Sequence, residues 1–124
     1  MRESTTILVV DDDPAMRMIV SLSLRLYGYV VLAAASGGEA IVIARQHHEI
    51  RLIVLDVVMM GLAGAELAEQ LVRIVPAAVV LFCSGHVSSA LTRYGIDPTA
   101  SNFLQKPCSA SVLQQKIEEL MPAF

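Results

Sequence analysis

Ile7-Leu8-Val9-Val10-Asp11-Asp12-Asp13-Pro14 is the stretch on which the reading of this chain turns. Four apolar residues, three of them β-branched, run straight into three consecutive acids and then a proline. An apolar run without alternation is the pattern of a strand covered on both faces, as in the middle of a parallel sheet. Pro14 lacks an N–H and presets φ near the helical value, so it suits the first turn of a helix. The segment reads as buried strand, charged turn, helix, with the charge at the carboxyl end of the strand.

The same grammar repeats outward. Val20, Leu24 and Tyr27 recur at helical spacing until Gly28 closes the segment, and Val30 to Ala34 is a second strand. Ser36 is an N-cap candidate, Gly37-Gly38 reads as a turn, and a helix follows with Ala40, Ile43 and Ala44 inward. Leu52 to Leu55 is a third strand. A loop bearing Gly61 and Gly64 leads to a helix over Glu66 to Val75, which Pro76 stops. Val79 to Cys83 is a fourth strand, Val87 to Tyr94 a short helix, Gly95-Ile96-Asp97-Pro98 a turn-rich connector, and Asn102 to Gln105 a weak fifth strand. Ser109 can cap a last helix with Val112, Leu113, Ile117 and Leu120 on one face and Gln114, Lys116 and Glu118 on the other. Strands alternating with helices predict βαβ units around a parallel sheet, five of them, in one domain over residues 1–124.

Composition agrees. The 124 residues are 55% hydrophobic and 17% charged, too apolar for a solvated disordered chain and long enough for one core. Twelve acids against nine bases give a net charge of −3 without a Lys/Arg cluster, which argues against nucleic-acid binding. The apolar runs are too short to span a bilayer, and Met1 to Thr6 lacks the features of a signal peptide, so the expectation is a cytoplasmic chain without membrane insertion. Cys83 and Cys108 have no partners at zinc spacing and read as reduced thiols.

In open parallel sheets the ligand crevice lies at the carboxyl ends of the strands. There the first strand offers Asp11-Asp12-Asp13, the third Asp56, the fourth Ser84 and the fifth Lys106; the second offers only Ala35-Ser36-Gly37. Carboxylates gathered in one crevice repel one another unless a cation sits among them, and an all-oxygen set suits Mg²⁺. Lys106 adds a point charge and Ser84 a hydroxyl, both suited to a phosphoryl group in transfer. Asp11 and Asp12 form a natural metal pair. Asp56, alone at the end of a central strand, is the best candidate for a carboxylate nucleophile giving an aspartyl phosphate.

From Val9-Val10-Asp11-Asp12-Asp13-Pro14 through Leu55-Asp56-Val57-Val58-Met59 and Cys83-Ser84-Gly85 to Leu104-Gln105-Lys106-Pro107, the chain resembles the receiver domains of two-component response regulators. That resemblance implies an α/β, flavodoxin-like (βα)5 three-layer sandwich with a five-stranded parallel sheet of order 2-1-3-4-5. It implies Asp56 as phosphoacceptor and Asp11, Asp12, Asp56 and the backbone carbonyl of Val58 as ligands of Mg²⁺. Ser84 would be the switch hydroxyl and Lys106 the phosphate-binding lysine, with a cis bond before Pro107. Phe103 occupies the aromatic switch position without a hydroxyl, so it would couple to Ser84 through packing. Val58 and His86 fall where the family tunes the lifetime of the phosphoryl group, and an apolar Val58 implies slow hydrolysis. The sequence departs from the pattern at Met60, where the family commonly has proline, and at Ala63, where it often has aspartate. Val80 to Gly85, Arg93 to Pro98 and Phe103 to Pro107 are similar to receivers of hybrid sensor histidine kinases. The implied partners are a sensor histidine kinase or a histidine phosphotransfer protein. A homodimer through the fourth helix, fifth strand and fifth helix is compatible with the family, as is a free-standing single-domain regulator.

Blander readings stand beside these. Asp13 serves equally as a helix cap. His47-His48 reads as a solvated helix end, and His86 as a site neighbour or a surface residue. Met16 and Ile19 lie either in the core or where a phosphodonor helix docks. An aspartate-nucleophile phosphohydrolase also places Asp-x-Asp after its first strand, but it needs a further acidic pair after the lysine, where only helix residues Glu118 and Glu119 remain. A phosphorylation-independent module of the same fold commonly loses an acid or the lysine, and this chain keeps them. The expectation is a phosphoacceptor, not a turnover enzyme.

Overall fold

The computed structural model describes residues 5–59, 62–84, 102–105 and 109–121. The expected helix over Val87 to Tyr94, the Gly95 to Pro98 connector and the Lys106-Pro107 bond lie outside them.

The opening segment folds as its sequence dictates. Strand β1 (Thr6–Val10) is buried at every position. Helix α1 (Pro14–Leu26) starts at the proline, and the Asp13 carboxylate caps it by accepting from the amides of Ala15 at 3.0 Å and Met16 at 3.4 Å. Asp13 is thus occupied as a cap. Gly28, at φ 93°, ends the helix: its amide donates to the Arg25 carbonyl at 3.0 Å and the Tyr29 amide to the Leu24 carbonyl at 3.2 Å, a Schellman closure. Leu24 and Ser21 are the buried positions of α1, whereas Tyr27, expected inward, is the C-cap and 37% exposed.

Strand β2 (Val30–Ala34) leads to α2 (Gly37–Gln46). The two glycines read as a turn are the first residues of this helix. Ser36 Oγ accepts from the Glu39 amide at 3.1 Å while Glu39 Oε1 accepts from the Ala35 amide at 3.3 Å, an arrangement close to a capping box. Between α2 and the next strand His47 Nδ1 lies 3.0 Å from Glu49 Oε2. A backbone hydrogen bond and this imidazole hold the Glu49 carboxyl below the usual carboxylate range.

Strand β3 (Ile50–Asp56) begins two residues earlier than its apolar run, because the register with β1 shifts between Thr6 and Ile7 and the exposed Arg51 interrupts the hydrophobic sequence without ending the strand. Next comes a pair of two-residue antiparallel strands, β4 (Val58–Met59) and β5 (Leu62–Ala63), in the segment read as a loop. Helix α3 (Gly64–Ile74), strands β6 (Val79–Ser84) and β7 (Phe103–Gln105), and helix α4 (Ala110–Leu120) complete the described fold.

The main sheet is wholly parallel with the order β2-β1-β3-β6-β7, which is 2-1-3-4-5 once the small β4-β5 pair is set aside. This is the flavodoxin-like arrangement expected. Alternate residues of the central strands serve opposite faces. Leu8, Val10, Ile53 and Leu55 pack with Ala40, Ala44, Leu67 and Leu71 of α2 and α3. Ile7, Val9, Leu52 and Val54 pack with Leu24 of α1 and Leu113 and Ile117 of α4.

The face of α4 corrects the sequence reading in part. Val112, expected inward, is 44% exposed, and Gln114, expected outward, is 6% exposed. Leu113, Gln114 and Ile117 follow an i, i+1, i+4 stripe, and Val112 lies one 100° step outside it. Gln114 is tolerated inside because its Nε2 reaches Glu118 Oε1 at 3.0 Å.

Candidate functional site

Parallel register brings the chemistry together. Val10 pairs with Leu55, so Asp11, next after β1, and Asp56, last in β3, end adjacent central strands. Asp56 pairs in turn with Cys83, and the Val57 amide donates to the Cys83 carbonyl at 2.9 Å, tying the end of β3 to β6. Asp11, Asp12 and Asp56 each place a carboxylate oxygen within 4.8 Å of the others. The environments differ: Asp11 is buried, Asp56 half-buried and Asp12 exposed.

Asp11 is held from several sides. Its amide donates to the Ala34 carbonyl at 3.1 Å, extending the β1-β2 ladder past the strand. Its Oδ1 accepts from the Asp13 amide at 3.0 Å, and its carbonyl accepts from Arg17 Nη1 at 2.8 Å. The role of Arg17 was missed in sequence. Nothing in its spacing marks it, since the contact exists only because α1 folds back over the turn. Arg17 fixes the Asp11 backbone and adds positive charge beside the acidic crevice.

Like unit charges at such separations repel by a few kcal/mol at a protein-like dielectric. Three carboxylates converging so closely form an oxygen-only donor set, which fits a hard divalent cation such as Mg²⁺. Asp11, Asp12 and Asp56 are the residues that would hold it.

The remaining candidates divide. Ser84 ends β6 and is fully buried, paired in register with Gln105. Phe103 is half-buried and pairs with Phe82, two rungs back from Ser84. Asn102 anchors that strand, its Nδ2 donating to the Val80 carbonyl at 3.3 Å and its carbonyl accepting from the Phe82 amide at 2.8 Å. Val58 lies in β4, in register with Ala63. Lys106, His86 and Met60 fall outside the described residues. A cavity of about 160 Å³ adjoins the acids, lined by both Asp11 and Asp56 and, from α1, by Met16 and Ile19.

Similarity to known proteins points one way. The chain is 34% identical over 116 residues to "Probable transcriptional regulator ycf27" of Cyanophora paradoxa, covering 93% of this chain and 47% of that protein. It is also 34% identical over 119 residues to the sensor kinase CckA of Brucella abortus, covering 95% of this chain and 13% of that one. The chain thus spans about half the length of the first and a small part of the second. Among solved structures, the receiver domain from the hybrid histidine kinase CckA matches with a TM-score of 0.77 and 32% identity, over 94% of this chain and 98% of that one. The chemotaxis protein CheY4 of Vibrio cholerae matches with a TM-score of 0.82 and 27% identity, over 95% and 99%. Residues 7–118 match the response regulator receiver domain, and the chain belongs to that family, a receiver domain of two-component systems.

Proposed function

We propose that Asp56 is the phosphoacceptor of this receiver, taking a phosphoryl group from a protein phosphohistidine. One observation carries the reading: the carboxylates of Asp11, Asp12 and Asp56 converge within 4.8 Å, with Asp56 on the last residue of a central strand. A carboxylate oxygen of Asp56 forms the new P–O bond while the P–N bond breaks and its electron pair stays on the imidazole nitrogen. Asp11 and Asp12, with Asp56 and the Val58 carbonyl, would hold Mg²⁺. Bound there, Mg²⁺ supplies the positive charge that offsets the carboxylates and the oxygens of the incoming group.

Ser84 and Lys106 then draw toward the new phosphoryl group. Ser84 is fully buried at the end of β6, and its approach to the phosphoryl group shifts the end of that strand. That shift is the switch, and Phe103, register partner of Phe82, follows it through packing. Val58 and His86 set how readily water attacks the aspartyl phosphate. We further propose that the chain is one receiver domain from residue 1 to residue 124, cytoplasmic, and a phosphoacceptor instead of a turnover enzyme. Among the described residues no helix is long and apolar enough to cross a membrane.

The partner is a sensor histidine kinase or a histidine phosphotransfer protein. Met18, Ile19 and Leu22 of α1 are more than half exposed, at 64%, 56% and 52%, and offer an apolar seat for its helix. A homodimer would use the fourth helix of the family fold together with β7 and α4. Both a single-domain regulator and the receiver of a hybrid kinase suit the chain, since CheY4 is matched over 99% of its chain at 27% identity and the receiver of the hybrid histidine kinase CckA at 32% identity.

Acetyl phosphate with Mg²⁺ followed by intact-mass measurement tests the reading. Wild type should gain one phosphate and Asp56→Asn none; equal addition to both, or none to either, overturns it. Followed over time, Val58→Asn should lose the phosphate faster than wild type, and an unchanged half-life removes Val58 from the tuning role.

A further inference from the structure

We propose that the free edge of β2 is a docking site for an extended acidic peptide of a partner protein, which adds to the sheet as a further strand. Among the described residues β2 pairs only with β1 and ends the sheet. The Val30 amide donates to the Thr5 carbonyl at 3.0 Å and the Ala34 carbonyl accepts from the Asp11 amide at 3.1 Å, so the backbone groups of Val31 and Ala33 face away from β1. Such an edge is a ready template for another strand, and proteins commonly guard it with charge or proline. Val30 to Ala34 contains neither, and Val30 is 48% exposed.

The guard comes from α1 instead. Arg25 Nη2 donates to the outward Val31 carbonyl at 3.3 Å. Arg17, Ser21 and Arg25 recur every fourth residue and, with Met18 and Leu22, line a groove of about 400 Å³ that reaches Ala33 of the edge strand. Ser21 is 4% exposed, and its Oγ is buried without a hydrogen-bond partner, so the groove holds an unused polar group. Each guanidinium has five N–H donors and gives one to a backbone carbonyl, Arg17 to that of Asp11 at 2.8 Å. Among the described residues neither arginine forms an ion pair, and α1 itself carries no acid.

The charge of this face decides its occupant. A second copy seated on it would oppose arginine to arginine, whereas a carboxylate offers the guanidinium fork a bidentate partner. Arg17 and Arg25 are eight positions apart, about 12 Å along the helix, and four residues of extended chain span about 13 Å. The fitting segment therefore carries two acids four residues apart with an apolar residue midway, all three side chains on the α1 side. Its backbone N–H takes over the Val31 carbonyl, and Arg25 exchanges that neutral acceptor for a carboxylate, a stronger bond. Arg17 lies beside the acidic crevice, so Arg25 contributes the larger share. Neither Asp56 nor a metal ion takes part, and the binding is independent of the phosphoacceptor reading.

The test titrates the capped peptide Thr-Glu-Val-Leu-Val-Glu-Thr into the full chain and follows amide chemical shifts and hydrogen exchange. Exchange should slow at the Val31 and Ala33 amides, which face away from β1, and stay unchanged at the Val30 amide, already bonded to Thr5. A counterpart with lysine for both glutamates, and another with proline for both valines, should each bind at least about tenfold more weakly. Arg25→Gln should weaken the acidic peptide by a similar factor, and Arg25→Glu should turn the preference toward the lysine peptide. Absence of saturable shifts in β2, equal affinity for the acidic and lysine peptides, undiminished binding of the proline peptide, or binding unaltered by both Arg25 variants overturns the proposal.

Discussion

On the α2 and α3 side of the sheet, Ala40, Ala44, Leu67 and Leu71 interlock with Leu8, Val10, Ile53 and Leu55, and all eight are buried. On the α1 and α4 side the core is equally buried, at Ile7, Val9, Leu24, Leu52 and Ile117, but a cavity of about 160 Å³ adjoins the acids, and the side-chain atoms Ser21 Oγ and Gln114 Oε1 are buried without a hydrogen-bond partner. The same helix α1 leaves Met18 64% and Leu26 87% exposed. The acids belong to this side, because Asp11 and Asp56 share strand parity with Val9 and Val54. Both layers bury a core, and the one that adjoins the chemistry keeps a gap beside Asp11 and Asp56. Interiors packed to crystal density resist small displacements, whereas a gap beside a site lowers the cost of moving its walls.

The widest contrast is expected from one substitution made on both sides. Leu71→Ala, at a fully buried position in α3, should lower unfolding free energy by about 3 kcal/mol. Leu26→Ala, at the end of α1, should change it by less than about 0.5 kcal/mol. Denaturant titration of both variants measures the difference, and equal losses would mean that the end of α1 is packed in solution despite its exposure.

Metal binding should then raise the stability of the acidic rim. A ligand that binds only the folded state, at ten times its dissociation constant, adds about 1.4 kcal/mol, so Mg²⁺ should raise the melting temperature by several degrees. Asp12→Asn should remove most of that gain. Asp12 is exposed, so little of the fold depends on it directly, and its loss isolates the metal term. A melting temperature insensitive to Mg²⁺ would leave the carboxylate cluster without its proposed ligand.

Gln114→Met tests whether the buried amide of α4 weakens this side. Its Oε1 is buried without a partner, and an unsatisfied buried acceptor costs about 1 to 3 kcal/mol, partly offset here by the Nε2 bond to Glu118. Methionine keeps the length and helix preference while removing the polar group. A gain of about 1 kcal/mol in chemical denaturation is expected; a loss would mean that the amide is better satisfied in solution than its surroundings indicate.

The legible parts of this molecule were those that the physics of a parallel sheet writes into local sequence. Two-sided burial makes central strands continuous apolar runs, so β1, β3 and β6 were found, and the acids after them stood out because charge rarely follows such runs. Strand ends were less legible. Arg51 points outward from within β3, and β4 and β5 are too short for a period to register. The inward face of α4 was misphased because Gln114 is polar by composition yet buried by position. The bond from Arg17 to the Asp11 carbonyl and the cavity beside Asp56 depend on how helices settle on the sheet, and no run of neighbouring residues encodes that. Lys106 and His86, expected at the site from sequence, lie outside the described residues.

The smallest expected effect concerns two glycines at helix ends on opposite sides of the sheet. Gly38 lies in the first turn of α2, outside the left-handed region, and a Cβ there meets nothing within 4 Å. Alanine therefore adds no clash and restricts the unfolded chain, so Gly38→Ala should stabilise by about 0.5 kcal/mol. Gly28, closing α1 at φ 93°, reverses the sign: alanine there meets the steric penalty of a left-handed backbone, and Gly28→Ala should destabilise by about 1 kcal/mol. Thermal melts of the two variants separate these outcomes. Stabilisation by both would show that the end of α1 relaxes without cost, placing the give of the α1 side in its backbone as well as in its packing.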